Sequence, residues 1–379
     1  MKVLDINLEQ FETKKALIQK LKSMGLPTPK TEHYRYFGIK PIFDRDYEFI
    51  KPKVAKPAIA DYIEIVDGTV TKAPKNIYIE MQKNPKIDDS HYDQVYYINH
   101  LLSDNIIHIE FEEECEVKIV QKFTLSNAFS PYRIKLSLAP NIKVKLVEEH
   151  LVLANESLYF YGYDIDIAQD AHLTFIQDRN SNFDEFALIA PHSIRCAKSS
   201  RLDLFTIDFG TAKTLHNYHI TLDEYAEVDA NHVIFASKEA KLGNTFHIEN
   251  RGKESKTSQL SRNILKDKAR GIFDGLLIVK NPAKYSSIYQ DSKTILLNDG
   301  AYMVSKPQME IYTEYILEAT HGSTTGHIDE EALFYLRQRG IAEPLAKEMI
   351  VLSFLNEIFE KMQDDEIKQE FIKLYEEGQ

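Results

Sequence analysis

Hydrophobic and polar positions divide the 379-residue chain into three parts. Near the N-terminus, Phe11, Leu17, Ile18, Leu21 and Met24 recur at helical spacing. Asn7, with Gln10 three residues on, forms a relative of a capping box, and Gly25 supplies a stop. The prolines of "GLPTPKTEHYRYFGIKP" exclude a continuous helix there, while Tyr34, Tyr36 and Phe37 offer rings to bury against a neighbouring element.

From about residue 105 to 317 the period changes to two. "NIIHIEF", "CEVKIVQKF", "RIKLSL", "IKVKLVEEH", "LYFYGYDIDI", "HLTFIQD" and "RLDLFTIDF" each read as a strand with one buried face. No long helical stretch separates them, which excludes a doubly wound α/β fold. Strand starts recur at Ile142, His172, Arg201 and Glu227, separations of 30, 29 and 26 residues. Such a quasi-period, with two or three strands per repeat, predicts a β-solenoid; a β-sandwich is the competing architecture. A solenoid has open ends, so helices or another chain must cover them.

The last part is helical again. Asp329 is a natural N-cap, Glu330 and Glu331 suit the positive end of a helix dipole, and Gly340 provides the stop. Pro344 fits a first helical turn. Leu345, Met349, Leu352, Leu355, Phe359 and Met362 then follow at steps of four and three, widened by Ile350, Val351, Phe354 and Ile358. A third helix is expected from about Asp364 to Tyr375. The implied domains are an N-terminal helical region (1–60), a β-helix core (61–320) and a C-terminal helical region (321–379).

Composition narrows the function classes. A net charge of −12 argues against general nucleic-acid binding. The charge is uneven: residues 1–56 carry 12 Lys/Arg against 7 Asp/Glu, and residues 329–379 carry 6 against 13. No apolar run is long enough to span a membrane, and the N-terminus has no apolar signal core. The two cysteines, Cys115 and Cys196, form no CxxC pair, so a reducing cytoplasmic setting is expected. The acidic run around Cys115 disfavours its thiolate, and Cys196 reads as a small buried thiol in a strand. No Walker A loop, GxSxG, HExxH or GxGxxG motif occurs. The 13 histidines lack the dense spacing of a structural zinc site. Two cysteines do not supply the four thiolates usual for an iron–sulfur cluster, although one ligand can be lent to a site that another protein completes.

Three segments carry a family likeness. "HGSTTGHIDEEALFYLRQRGI" closely resembles the C-terminal signature of the SufB/SufD family of iron–sulfur cluster assembly proteins. "SRNILKDKARGIFDGLLIVKNPAKYSSIYQ" resembles a second family segment at Arg262, Asp267, Ala269, Gly271, Phe273, Gly275, Val279, Ala283 and Gln290, and "KPQMEIY" resembles a third. The opening "MGLPTPKTEHYRYF" is similar to the start of the SufD branch. The resemblance implies a right-handed parallel β-helix between two helical regions. It also implies a non-catalytic scaffold that pairs with a SufB-like chain through the β-helix ends and binds a SufC-like ATPase through its C-terminal helices.

On that basis Tyr335, Arg339, Leu345, Met349 and Leu352 are the expected ATPase-contact residues. His321, in the family's HG dipeptide, is the expected ligand or helper for a transient cluster shared with the partner, none being held stably by this chain alone. Some members carry a cysteine two residues earlier, where this chain has Ala319. Read without the family, "HGSTTG" is a turn between the last strand and the Asp329 cap. The competing functions are a β-helix carbohydrate-active enzyme and a structural homo-oligomer, with homodimerisation expected for the chain alone.

Overall fold

The structure, a computed structural model, describes residues 2–5, 11, 14–28, 30–83, 87–104 and 106–377. Asn7 and Gln10, the expected N-terminal cap, lie outside the described residues. The first helix, α1, runs Lys15–Met24 and ends at Gly25, whose φ of 77° needs no Cβ clearance.

The alternating segments all form strands, and the strands coil. Beyond the first turn, sequence neighbours do not pair with each other. The strand Arg201–Gly210 pairs in parallel with His172–Ser181 before it and Glu227–Ala236 after it. The strands between them, Ala187–Cys196 and Lys213–Leu222, pair in the same way on a second sheet. Two sheets result, of ten and eleven strands, and the chain winds between them for about 8 turns. This is a β-solenoid with two strands per turn, and the parallel pairing rules out the sandwich. Below, sheet I contains Lys213–Leu222 and sheet II contains Arg201–Gly210.

The repeat seen in the sequence is the axial register. Lys143, His172, Arg201 and Glu227 are stacked partners in sheet II, so the first repeat begins one residue later than Ile142. One corner of the coil is equally regular. Asn141, Asp170, Ser199, Tyr225, Glu254 and Tyr285 all adopt φ between 54° and 64°. Each donates its backbone N–H to a carbonyl of the following turn, as in Asp170 to Lys198 at 3.2 Å and Ser199 to Glu224 at 2.9 Å. A non-glycine residue in this region is strained by roughly 1 kcal/mol or more. The inter-turn hydrogen bond, repeated at every level, offsets that strain.

The interior is apolar at many levels, with Leu136, Leu146, Phe175, Ile194, Leu204 and Ile220 in one continuous core. It also holds polar groups, many of them partnered across turns. Glu148 accepts from Tyr163 Oη at 2.6 Å, Gln177 Nε2 at 2.6 Å and Gln121 Nε2 at 3.1 Å. Arg179 meets Asp208 at 2.7 Å and Tyr218 at 2.8 Å.

The helices cover the faces of the coil and leave its last turn bare, whereas the sequence suggested covers for the ends. On sheet I lie α1, the short α2 (Lys40–Phe43) and α3 (Gln94–Leu102), packed over Phe129, Phe160 and Ile189. Tyr34 and Phe37 are fully buried there, while Tyr36 is exposed. Asp93 caps α3 by accepting from Val95 N at 2.8 Å. Lys14 Nζ closes its other end on the carbonyls of His100, Leu101 and Ser103. On sheet II lie α5 (Glu343–Met362) and α6 (Asp365–Glu377), with Leu355, Phe359 and Phe371 against Phe209 and Phe235. Between sheet II and α5 the buried Arg262 guanidinium bridges Asp291 at 2.8 Å and Glu357 at 2.6 Å.

The first turn is blunted by antiparallel pairing of Ile63–Val66 with Thr69–Ala73 and of Tyr78–Gln82 with Ile106–Phe111. Among the described residues the last turn has no such cover.

Glu148 makes the interior pH-sensitive. Burial opposes its charge, but hydrogen bonds from His150, Tyr163 and Gln177 outweigh this and lower its pKa from 4.5 to about 2. The unfolded chain therefore takes up this proton at a higher pH than the folded chain. The stabilisation is fully present above the ordinary value and is lost as pH falls toward the folded one. The difference in urea midpoint between wild type and Glu148→Gln is expected to shrink steadily from pH 4.5 toward pH 3; a constant difference would refute the assignment.

Candidate functional site

The last turn consists of the strands Tyr302–Ile311 and Ile316–His327. Each pairs on one side only, with Arg270–Val279 and Ser286–Leu296 respectively, and each ends its sheet. Their outer backbone groups have no strand to meet. Tyr302, Ile311, Tyr312, Tyr315 and Leu317 are exposed along this end. The "HGSTTGH" segment lies wholly within the final strand, so it is not the turn that its glycines and hydroxyls suggest. The extended backbone places alternate residues of this segment over the solenoid interior.

His321 is one of those residues. It stacks in register on Gln290, which stacks on Gln259. Below them the same interior column is apolar: Ala230, Leu204, Phe175 and Leu146. The column thus turns polar over its last three levels. Gln290 Nε2 donates to Gln259 Oε1 at 2.7 Å, and Gln259 Nε2 lies 3.4 Å from His232 Nε2. His232 Nδ1 in turn meets Thr206 Oγ1 at 3.0 Å. Gln290 Oε1 is buried and has no hydrogen-bond partner among the described residues. A buried amide oxygen left in this state is unfavourable by about 1–3 kcal/mol.

A second polar line reaches the same end. Ser305 Oγ contacts Ser292 Oγ at 3.0 Å and Ser323 Oγ at 2.9 Å. Sequence reading missed Gln259 and these serines. Their signal was a polar residue recurring in one slot, since Gln259, Gln290 and His321 are each 31 residues apart.

The expected partner residues gather beside α4 (Glu330–Gln338). Asp329 caps this helix through Glu331 N at 2.9 Å, and Gly340, at φ 83°, follows its end. The Arg339 guanidinium stacks 4.5 Å from the centre of the Tyr335 ring. Tyr335, Arg339, Leu345 and Met349 are exposed and Leu352 is half-buried. Phe334, 64% exposed, widens this patch and was not anticipated. The sequence stripe, however, splits. Leu355, Phe359 and Met362 are buried on sheet II together with Val351, while Ala346 nearer the start of α5 packs between Leu333 of α4 and Ile295 of the solenoid. Leu345 and Met349, the exposed members of the stripe, lie in the first half.

The cysteines stand apart from this end. Cys196 is buried and its thiol is pushed up to about 12, chiefly by burial. Burial also raises the Cys115 thiol. Ala319 stacks on Ile288. A cleft of about 250 Å³ on sheet II is lined by Arg201, Glu227, Lys256 and Glu318. Glu227 there is tied to Arg201 at 2.8 Å and Lys256 at 2.7 Å, so it is not poised as an acid or base.

Residues 107–354, about two thirds of the chain, match the family model of the SUF system FeS cluster assembly, SufBD core domain. The chain belongs to this family. It is 26% identical over 384 residues to the iron–sulfur cluster assembly protein SufD of Escherichia coli, covering 94% of this chain and 90% of that protein. It is 25% identical over 202 residues to a SufBD family protein of Synechocystis, covering 52% of this chain and 44% of the relative. The SufD protein of Plasmodium falciparum is 24% identical over 304 residues, 76% of this chain but 20% of that longer protein. Membership ties the chain to the SUF system of iron–sulfur cluster assembly.

The residues that carried the SufB/SufD resemblance have physical work in this fold. Arg262 anchors α5. Gly275 makes room for Gln290: a Cβ there would lie 2.1 Å from Gln290 Nε2, and the Gly275 carbonyl accepts from that nitrogen at 3.2 Å. Gly275→Ala is expected to destabilise the chain by about 1–3 kcal/mol through overpacking. Adding Gln290→Ala should recover part of that loss in urea melts. Strict additivity of the two changes would show that the residues are not coupled.

Proposed function

We propose that this chain is a SufD-like, non-catalytic scaffold subunit of a SufBCD-type complex, joined to a SufB-like chain at its open last turn. The bare edges of Tyr302–Ile311 and Ile316–His327 carry this reading. An unpaired edge with exposed aromatic residues invites β-pairing or close packing by another chain, and a long edge left bare is a hazard for a soluble protein. A second copy is the substitute occupant when the SufB-like chain is absent.

The polar columns give the junction its chemistry. His321 presents an imidazole at the end of the Gln259–Gln290 line, where a nascent cluster is cargo shared between two chains. An imidazole is a sound iron ligand, and the remaining ligands come from the partner. The patch formed by Tyr335, Arg339, Leu345, Met349 and Leu352 is the seat for a SufC-like ATPase. Its stacked Tyr–Arg pair and neighbouring apolar side chains have the composition of an interface hot spot. No helix is long and apolar enough to cross a membrane among the described residues, and both cysteines are free. The complex works in the reducing cytoplasm.

Co-expression with the SufB-type and SufC-type proteins of the same organism, followed by size-exclusion chromatography with mass determination, tests the assignment. The expected species holds this chain, one SufB-like chain and two ATPases; elution alone, or only as a homo-oligomer, would sink it. Met349→Glu is expected to weaken ATPase binding at least tenfold with unchanged strand content by circular dichroism, and unaltered binding would remove α5 from the interface. His321→Ala should lower cluster yield severalfold while the complex stays intact. Normal yield would leave His321 without a role in the chemistry.

A further inference from the structure

We propose that the outer face of sheet I carries a divalent-cation site built by His219, His247 and Glu249. It suits a zinc-class ion that clasps the segment before α3 to the solenoid. His219 and His247 are register partners on adjacent turns, so both imidazoles leave the same face of the sheet. Glu249, two residues beyond His247, returns to that face. One ligand atom from each lies within 4.8 Å of the other two. Glu249 Oε1 is 3.1 Å from His247 Nε2 and 3.6 Å from His219 Nε2.

The deciding feature is His219. It is fully buried, and its Nε2 has no hydrogen-bond partner among the described residues. Its Nδ1 lies 2.7 Å from Asp88 Oδ2 and donates to it, so the neutral imidazole carries its lone pair on Nε2. Nε2 lies 3.6 Å from Glu249 Oε1. In that form two electron-rich atoms face each other in a buried place, and a positive charge relieves the repulsion, either a bound cation or the proton that Asp88 and Glu249 favour on His219 against its burial. The gap is too long for a proton bridge of ordinary geometry. It matches a cation: bonds of about 2.0–2.1 Å in tetrahedral array set donor atoms about 3.3 Å apart.

The surroundings fit a metal centre. Asp88 orients His219 as a carboxylate behind a ligating imidazole does. Arg251 Nε donates to Glu249 Oε2 at 2.8 Å and leaves Oε1 to the site. Tyr92 stacks on the His247 ring at 4.7 Å and limits its rotation. The His247 side chain is 15% exposed, which gives an entry path. Lys280 Nζ lies 3.9 Å from Glu249 Oε1, the oxygen offered to the ion, and gives way on binding; its side chain is 40% exposed. Two nitrogens and one carboxylate oxygen suit zinc or iron(II), with water completing the shell. The site lies on the other sheet from His321, and on its outer face, so it stands or falls independently of the scaffold reading.

The test is titration of chelator-treated full-length chain with Zn(II), by calorimetry, and with Co(II), by visible absorption. One equivalent is expected to bind at micromolar affinity or tighter, with a tetrahedral or five-coordinate Co(II) spectrum and a raised thermal midpoint. The isosteric Glu249→Gln and the half-exposed-site variant His247→Ala should each weaken binding at least tenfold, and Asp88→Asn by 10- to 100-fold. His321→Ala should leave it unchanged. Absent binding, or binding insensitive to Glu249→Gln and His247→Ala, would overturn the site. So would a ¹⁵N spectrum with His219 protonated on both nitrogens and unaltered by zinc, because a fixed imidazolium then occupies the position of the ion.

Discussion

The parallel, in-register hydrogen bonding between successive turns is the constraint on which this structure rests. It forces every residue to stack on its equivalent about 29 residues earlier, as His172, Arg201 and Glu227 do. Like positions therefore form columns, and neighbours within a column share an environment over several turns. The left-handed corner residues follow from the same rule. Each strained φ is tolerated because its N–H finds a carbonyl on the next turn. The bare last edge follows too, since a coil that propagates by edge pairing must stop with an edge unsatisfied.

Columns explain how polar groups survive inside. Glu148 and the Arg179–Asp208 pair are buried, yet neighbours on adjacent turns supply their partners. A buried charge without such partners would be strongly destabilising. The price in packing is met by glycine at Gly275, where any side chain would meet Gln290. At the open end the polar columns surface as His321 and Ser323, so the interior of the coil and its exposed edge share one chemical character.

The helical regions serve the faces. The sides of the two sheets that face away from the interior are themselves apolar at Phe160 and Ile189 on one and Phe209 and Phe235 on the other, so both need covers. Helix α5 packs on sheet II through Val351, Leu355 and Phe359, and leaves Leu345 and Met349 exposed near its start. One helix thus combines internal packing with an exposed apolar surface. The His219 cluster follows the same logic on sheet I, where a side chain before α3 meets side chains of two turns.

Much of this was legible in the sequence. Period-two alternation specifies short strands with one buried face, and a repeat of 26 to 30 residues favours stacking them in a coil; the parallel pairing then decided against the sandwich. Asp329, Gly340 and Pro344 fixed helix boundaries through local capping chemistry. The SufB/SufD resemblance pointed to Gln290 and His321, but their stacking needed the register, since residues 31 apart meet only through tertiary pairing. For the same reason the glutamine and serine lines at the open end, and the meeting of Asp88 with His219 across 131 positions, were invisible to local pattern. The apolar stripe of α5 was read correctly as apolar. Which of its residues are buried was decided by what the solenoid sets against them, a property of the assembled coil and not of the helix.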